Sequence, residues 1–101
     1  MENKNNIANQ KDYAMRPKPI WERAVGVTFD VFQNSTTGDH FFSFELVRCY
    51  RSRDGETMRY SNSFSEKHVN ALAKVMSQAM QFIAQTDANQ WVDAYNKKKA
   101  A

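Results

Sequence analysis

The stretch that decides the fold is Ala24-Val25-Gly26-Val27-Thr28-Phe29-Asp30-Val31-Phe32-Gln33. Val25, Val27, Phe29 and Val31 occupy one side of a period-two pattern, with Ala24, Gly26, Thr28, Asp30 and Phe32 on the other. That alternation is the signature of a strand with one face in a core. Upstream, Pro17-Lys18-Pro19 marks an extended entry, because each proline biases its predecessor away from helix. Ile20 and Trp21 begin a short first strand. Downstream, Asn34-Ser35-Thr36-Thr37-Gly38-Asp39 is a loop by composition. Extended structure resumes from Phe41 to Tyr50, with Phe42, Phe44, Leu46, Arg48 and Tyr50 in one alternating set. An arginine closing an apolar set has two explanations. Either the strand bulges near its end, or this end leaves the core and offers Arg48 and Tyr50 to solvent or ligand. Arg53-Asp54-Gly55-Glu56 carries the Asp-Gly hairpin signal, and Thr57 to Ser63 reads as the return strand.

Ser63-Phe64-Ser65-Glu66 matches a capping box, in which a serine hydroxyl and a glutamate carboxylate satisfy free N–H groups at a helix start. The helix that follows carries Val69, Leu72, Ala73, Met76, Ala79, Met80 and Ile83 at three- and four-residue intervals, one apolar stripe. Asp87 to Lys99 reads as a short second helix starting at Asp87, with Trp91, Val92 and Tyr95 on neighbouring turns. The expected class is α+β: an antiparallel meander of three to four strands, then one long helix and a short C-terminal one. The division is a flexible N-terminal arm over residues 1–16, a domain over 17–86, and a C-terminal extension with a basic tail over 87–101. One helix covers one face of a sheet; the other face needs water, a subunit or a ligand.

The 101 residues suffice for one small core, and seven Phe, four Tyr and two Trp with only two Pro and three Gly exclude low-complexity and collagen-like classes. No apolar run approaches the length of a membrane span, and no apolar signal stretch follows the polar start Met1 to Asn6. A cytoplasmic protein is expected, with no membrane partner and no small-molecule substrate. Cys49 is the single cysteine, so no internal disulfide forms. It lies in an apolar run and reads as a buried structural thiol. With two His and one Cys and no ligand spacing, no metal site and no cofactor are expected. Asp30, Asp39, Glu45, Asp54 and Glu56 show no catalytic grouping, so no catalytic residues are assigned and the chain is not read as an enzyme.

Net charge is +3. Part of the excess is the Lys97-Lys98-Lys99 tail. The informative part is local, since Arg48, Arg51, Arg53 and Arg59 crowd one strand-turn-strand segment whose only acids are Asp54 and Glu56. The guanidinium fork binds phosphate and stacks on bases better than an ammonium does. Single-strand binding needs such a basic path with exposed aromatic rings beside it. Phe32 lies on the less apolar side of its strand, and Arg59 alternates with Met58 and Tyr60; these are expected to share an open face. Arg51 and Arg53 sit at the hairpin, and Lys67 near the helix start adds charge to its N–H dipoles. For a sheet this small, pairing of two copies through the weakly charged helix is expected to finish the core, with Leu72, Met76, Ala79, Met80 and Ile83 at the interface. The alternative is a protein-interaction module docking an acidic or extended polypeptide on the same face.

Three groups in order carry a family resemblance: the strand Val27 to Asn34, the segment Phe44-Glu45-Leu46-Val47-Arg48-Cys49-Tyr50, and Asp54-Gly55-Glu56 ahead of a capped helix. Over Ile20 to Ile83 the pattern resembles the single-stranded-DNA-binding domain of the transcription coactivator positive cofactor four and its bacterial and phage relatives. The plant Whirly proteins are a more distant likeness. The resemblance implies a sheet backed by a helix, a homodimer through the helices, and single-stranded DNA, melted duplex included, across the exposed sheets in transcription, replication or recombination. It implies that Phe32 stacks on bases, and that Arg48, in the Arg-x-Tyr segment with Tyr50, reaches the nucleic acid backbone. The chain departs from the pattern at Arg51, where the family has an aromatic, and at Asp30, where it has a basic residue. Basic residues before the helix are thinned to Arg59, and the loop from Asn34 to His40 is longer.

Overall fold

Val25, Val27, Phe29 and Val31 are each almost wholly shielded from solvent, and the strand they define, β3 (Val25–Asn34), is the spine of the molecule. The computed structural model describes residues 15–100 and the backbone of residues 9–11. β1 (Asn9–Lys11) and β2 (Ile20–Glu22) both pair antiparallel with β3 along one edge, while β4 (His40–Arg51) and β5 (Met58–Ser61) follow on the other. The sheet is antiparallel throughout. β1 falls inside the segment expected to be an arm, and the rest of that segment up to residue 14 lies outside the described residues.

Two tight connections set the register. Glu22 faces Val25, so Arg23 and Ala24 alone turn β2 into β3, and Arg23 takes the left-handed φ of 56° that this reversal requires. Between β4 and β5 the loop is longer than a two-residue hairpin. Ser52 N–H donates to the Thr57 carbonyl at 2.7 Å, and the Asp54 carboxylate accepts from the Glu56 N–H and the Ser52 hydroxyl. Gly55 supplies the positive φ of 77° at its tip.

A 3₁₀ turn (Glu66–His68) leads into α1 (Val69–Gln85), and α2 (Ala88–Ala100) follows. The cap differs from the expected one by two residues. Ser65, not Ser63, is the N-cap, and the ring Nδ1 of His68, not the Glu66 carboxylate, accepts from the cap backbone N–H at 3.0 Å. α2 starts as expected, with Asp87 Oδ1 accepting from the Gln90 N–H.

Both helices lie on the side of the sheet that carries Val25, Val27, Phe29 and Val31. α1 packs over β2 and β3, placing Val75 and Ala79 against Val25, Val27 and Phe29, with Phe82 tilted against Phe29 at 5.0 Å between ring centroids. α2 reaches the start of β4, where Val92 joins Val31 and Met15, and Trp91 meets Phe42 edge-on. Asn89 Oδ1 accepts from the His40 N–H at 2.8 Å and ties α2 to the strand end. Full burial of each such side chain contributes about 1.5–3 kcal/mol. Among the described residues no helix is long and apolar enough to cross a membrane.

The helical stripe divides in two. Ala79 is 0% exposed, and Leu72 and Ile83 pack against the same core. Ala79 is therefore not free for a partner, while Leu72 and Ile83 are half-buried against this core and keep part of their surface exposed. Val75 and Phe82, outside the expected stripe, take the inward positions. Val69 and Met80 remain exposed at 56% and 60%.

Candidate nucleic-acid interface

Side chains on β2 to β5 alternate between a helix side and an open side. Trp21 is on the open side, paired with Gly26 across the ladder. A Cβ on Gly26 would stand 2.6 Å from the indole, so the ring lies flat against the backbone that glycine leaves bare. Trp21 nevertheless keeps 41% of its surface exposed. Tyr60 on β5 is exposed at 65%, and together with Trp21 it borders an open groove floored by Val47 and lined also by Thr28 and Glu45. Beyond this groove, Arg23, Cys49 and Met58 continue the same surface past Trp21. Cys49 is therefore half-buried on the open side and is not a core thiol.

Further along, Phe32 stacks on Phe41 across β3 and β4, with ring centroids 5.6 Å apart and planes 15° from parallel. Phe32 is on the open side as expected, and Trp91 belongs to the opposite one. Near this pair the open side is partly covered. Arg16 reaches over the β3 edge to Asp30 at 2.9 Å, and Asp30 is 4% exposed. Its carboxylate thus neutralises an arginine of this chain at the position where the family pattern has a basic residue.

The expected arginines divide between the sides. Arg51 is on the open side, opposite Met58, with its Nη1 donating to the Gly55 carbonyl at 3.0 Å. Arg53 is exposed in the β4–β5 loop. Arg48 and Tyr50 share the helix side with Val25, and Arg59 pairs with Tyr50 there. Arg59 and Phe32 therefore do not share a face, contrary to expectation. The ladder runs unbroken from His40 through Arg48, so no bulge reorients this end; β4 simply outruns the helices.

Arg48 is held in place. Its Nε donates to the Ser63 carbonyl at 2.8 Å, and its guanidinium carbon stands 5.0 Å from the centre of the Tyr50 ring. Such an exposed cation–π contact contributes about 0.5–1 kcal/mol. Lys67 and His68 border the same hollow. Desolvation, followed by the charges of Arg48 and Lys67, pushes the His68 pKa below the ordinary imidazole value. The Ser52 hydroxyl, and then the Glu56 N–H, hold the Asp54 carboxyl below the usual carboxylate range.

Trp21, Arg23 and Tyr60 were not among the expected site residues. Gly26 was the one signal for Trp21, because a glycine inside a strand marks a close approach. Tyr60 had the right alternation but was not singled out. Arg23 gave no signal before its turn was known.

No family model matches the chain, and neither curated proteins nor solved structures include a match to it.

Proposed function

We propose that this protein binds single-stranded DNA, melted duplex included, across the open side of its sheet and largely without regard to base sequence. The observation that carries the reading is the placement of both helices on one side, which leaves the rings of Trp21, Phe41 and Tyr60 exposed on the other. Rings on a helix-free sheet offer stacking platforms that any base fits, and each stack contributes about 1–3 kcal/mol. Arg23, Arg51 and Arg53 flank the platform as phosphate contacts. Arg48, Arg59 and Lys67 carry positive potential around the end of the β4–β5 ribbon, onto its other surface. The likeness to positive cofactor four supports the same reading and points to transcription, replication or recombination.

A homodimer belongs to the proposal. Lys74 pairs with Glu22 at 3.3 Å, which turns one flank of α1 toward β2 and the opposite flank away from it. That opposite flank carries Val69, Ala73, Met76 and Met80 at alternating four- and three-residue spacing, the spacing of a helix–helix seam. Beside it the helix side of β4 leaves Phe44 41% exposed. A second copy presenting the same seam would cover both.

The test is fluorescence anisotropy of labelled single-stranded, duplex and bubble DNA across ionic strength. Tightest binding to single strands and bubbles, with a steep loss of affinity as salt rises, is expected. Binding that is absent in dilute buffer or indifferent to salt would overturn the proposal in favour of a docked polypeptide.

A further inference from the structure

The groove between Trp21 and Tyr60 has a feature that a phosphate path does not explain. Glu45 pairs with Thr28 across the ladder and projects on the open side into this groove. It is exposed, and among the described residues no hydrogen bond or ion pair engages its carboxylate. A free carboxylate repels the nucleic acid backbone, so phosphates do not run past this point. What fits beside it is a base edge that donates hydrogen bonds.

We propose that this groove is a guanine subsite, with Glu45 reading the Watson–Crick edge of one unpaired base stacked among Trp21, Tyr60 and the Val47 floor. The inference rests on the single-strand reading above and adds a base preference at one position of an otherwise unread strand. The choice of guanine follows from donor geometry. Its N1–H and N2–H groups are adjacent and parallel, and the two oxygens of a carboxylate accept both at once. Adenine and cytosine each place a lone pair next to their amino group, against the carboxylate. Thymine offers one N–H between two carbonyl oxygens. A paired guanine has its edge occupied, so the same contact favours single strands over duplex. Glu45 thus costs affinity for any other base in the groove and returns it for one.

The experiment compares three otherwise identical thymine oligonucleotides carrying thymine, guanine or inosine at one central position, bound at low salt by the full chain and by Glu45→Gln. Inosine keeps N1–H and lacks the N2 amino group. The full chain should bind the guanine strand about tenfold or more tightly than the all-thymine strand, a bidentate pair's usual discrimination, and inosine should lose most of that gain. Glu45→Gln, isosteric and on the surface, should abolish the discrimination while binding the all-thymine strand as well as or better than the parent. Equal affinity for the three strands, or discrimination that survives in Glu45→Gln, would overturn the guanine subsite and leave single-strand binding standing. Failure to bind any strand would overturn both. Trp21→Ala should weaken all three strands together, and a loss confined to the guanine strand would contradict the stacking part of the proposal.

Discussion

The two sides of this sheet are built from alternate residues of the same strands, and the two helices α1 and α2 pack on one of them. On the helix side, Val25, Val27, Phe29 and Val31 are closed under α1 and α2. On the open side, Trp21, Phe41 and Tyr60 are exposed, and among the described residues no helix packs over them. The contrast teaches that aromatic content alone does not locate a core: Phe29 and Phe32, three residues apart on one strand, belong to different surfaces. A side chain's role here is set by its parity along β3 and by how far the helices extend over the sheet.

Substitutions that respect parity can break this contrast. The largest effect is expected for Phe29→Ala, which removes a fully buried ring packed on Phe82 and should cost about 3–5 kcal/mol in a denaturant titration. Tyr60→Ala should shift the same midpoint by no more than about 0.5 kcal/mol. Comparable losses for the two would mean that the sides are not energetically distinct. Next, Met80→Glu should leave the fold intact and yield a monomer in sedimentation, whereas Ala79→Glu, which buries a charge, should unfold the chain. A Met80→Glu protein that sediments like its parent would remove the helix seam as a pairing surface.

A smaller effect is expected at Gly26. The Cβ of Gly26→Ala must displace the Trp21 ring, so binding of single strands should fall by up to the value of one stack, about 1–3 kcal/mol, with secondary structure retained by circular dichroism. Unchanged affinity would show that the ring is not a platform. The smallest effect concerns His68. Its pKa is lower in the folded chain than its ordinary value, so the unfolded chain takes up the proton first as pH falls. Stability at His68 is full above the ordinary value and is lost as pH drops from there toward the folded pKa. In an NMR titration its midpoint should lie below the ordinary histidine range, and Arg48→Ala should raise it. A midpoint unmoved by Arg48→Ala would separate the two groups.

Most of the fold was legible in the sequence because it rests on local rules: the alternation along β3, the Asp54-Gly55 turn, the cap at Asp87 and the three- and four-residue spacing of α1. The helix start was misplaced because Ser63 and Ser65 both precede a residue able to accept at the third position, and only the fold selects His68. The stripe on α1 was read as one because apolar residues surround much of that helix, so spacing alone does not separate the flank meeting β3 from the flank left bare. The site was less legible. Arg48 and Arg51 are neighbours in a run of arginines, yet they point to opposite sides. Trp21 became a candidate only when the ladder placed it on Gly26.

The two tryptophans are divided between the sides, Trp21 on the bare glycine and Trp91 between Phe42 and Tyr95. The molecule therefore carries a separate intrinsic fluorophore for each of its two surfaces. Trp91→Phe would leave an emitter whose quenching follows occupancy of the groove, and Trp21→Phe one whose spectral shift follows loosening of the interior. Ligation and unfolding can then be timed independently in one label-free cuvette.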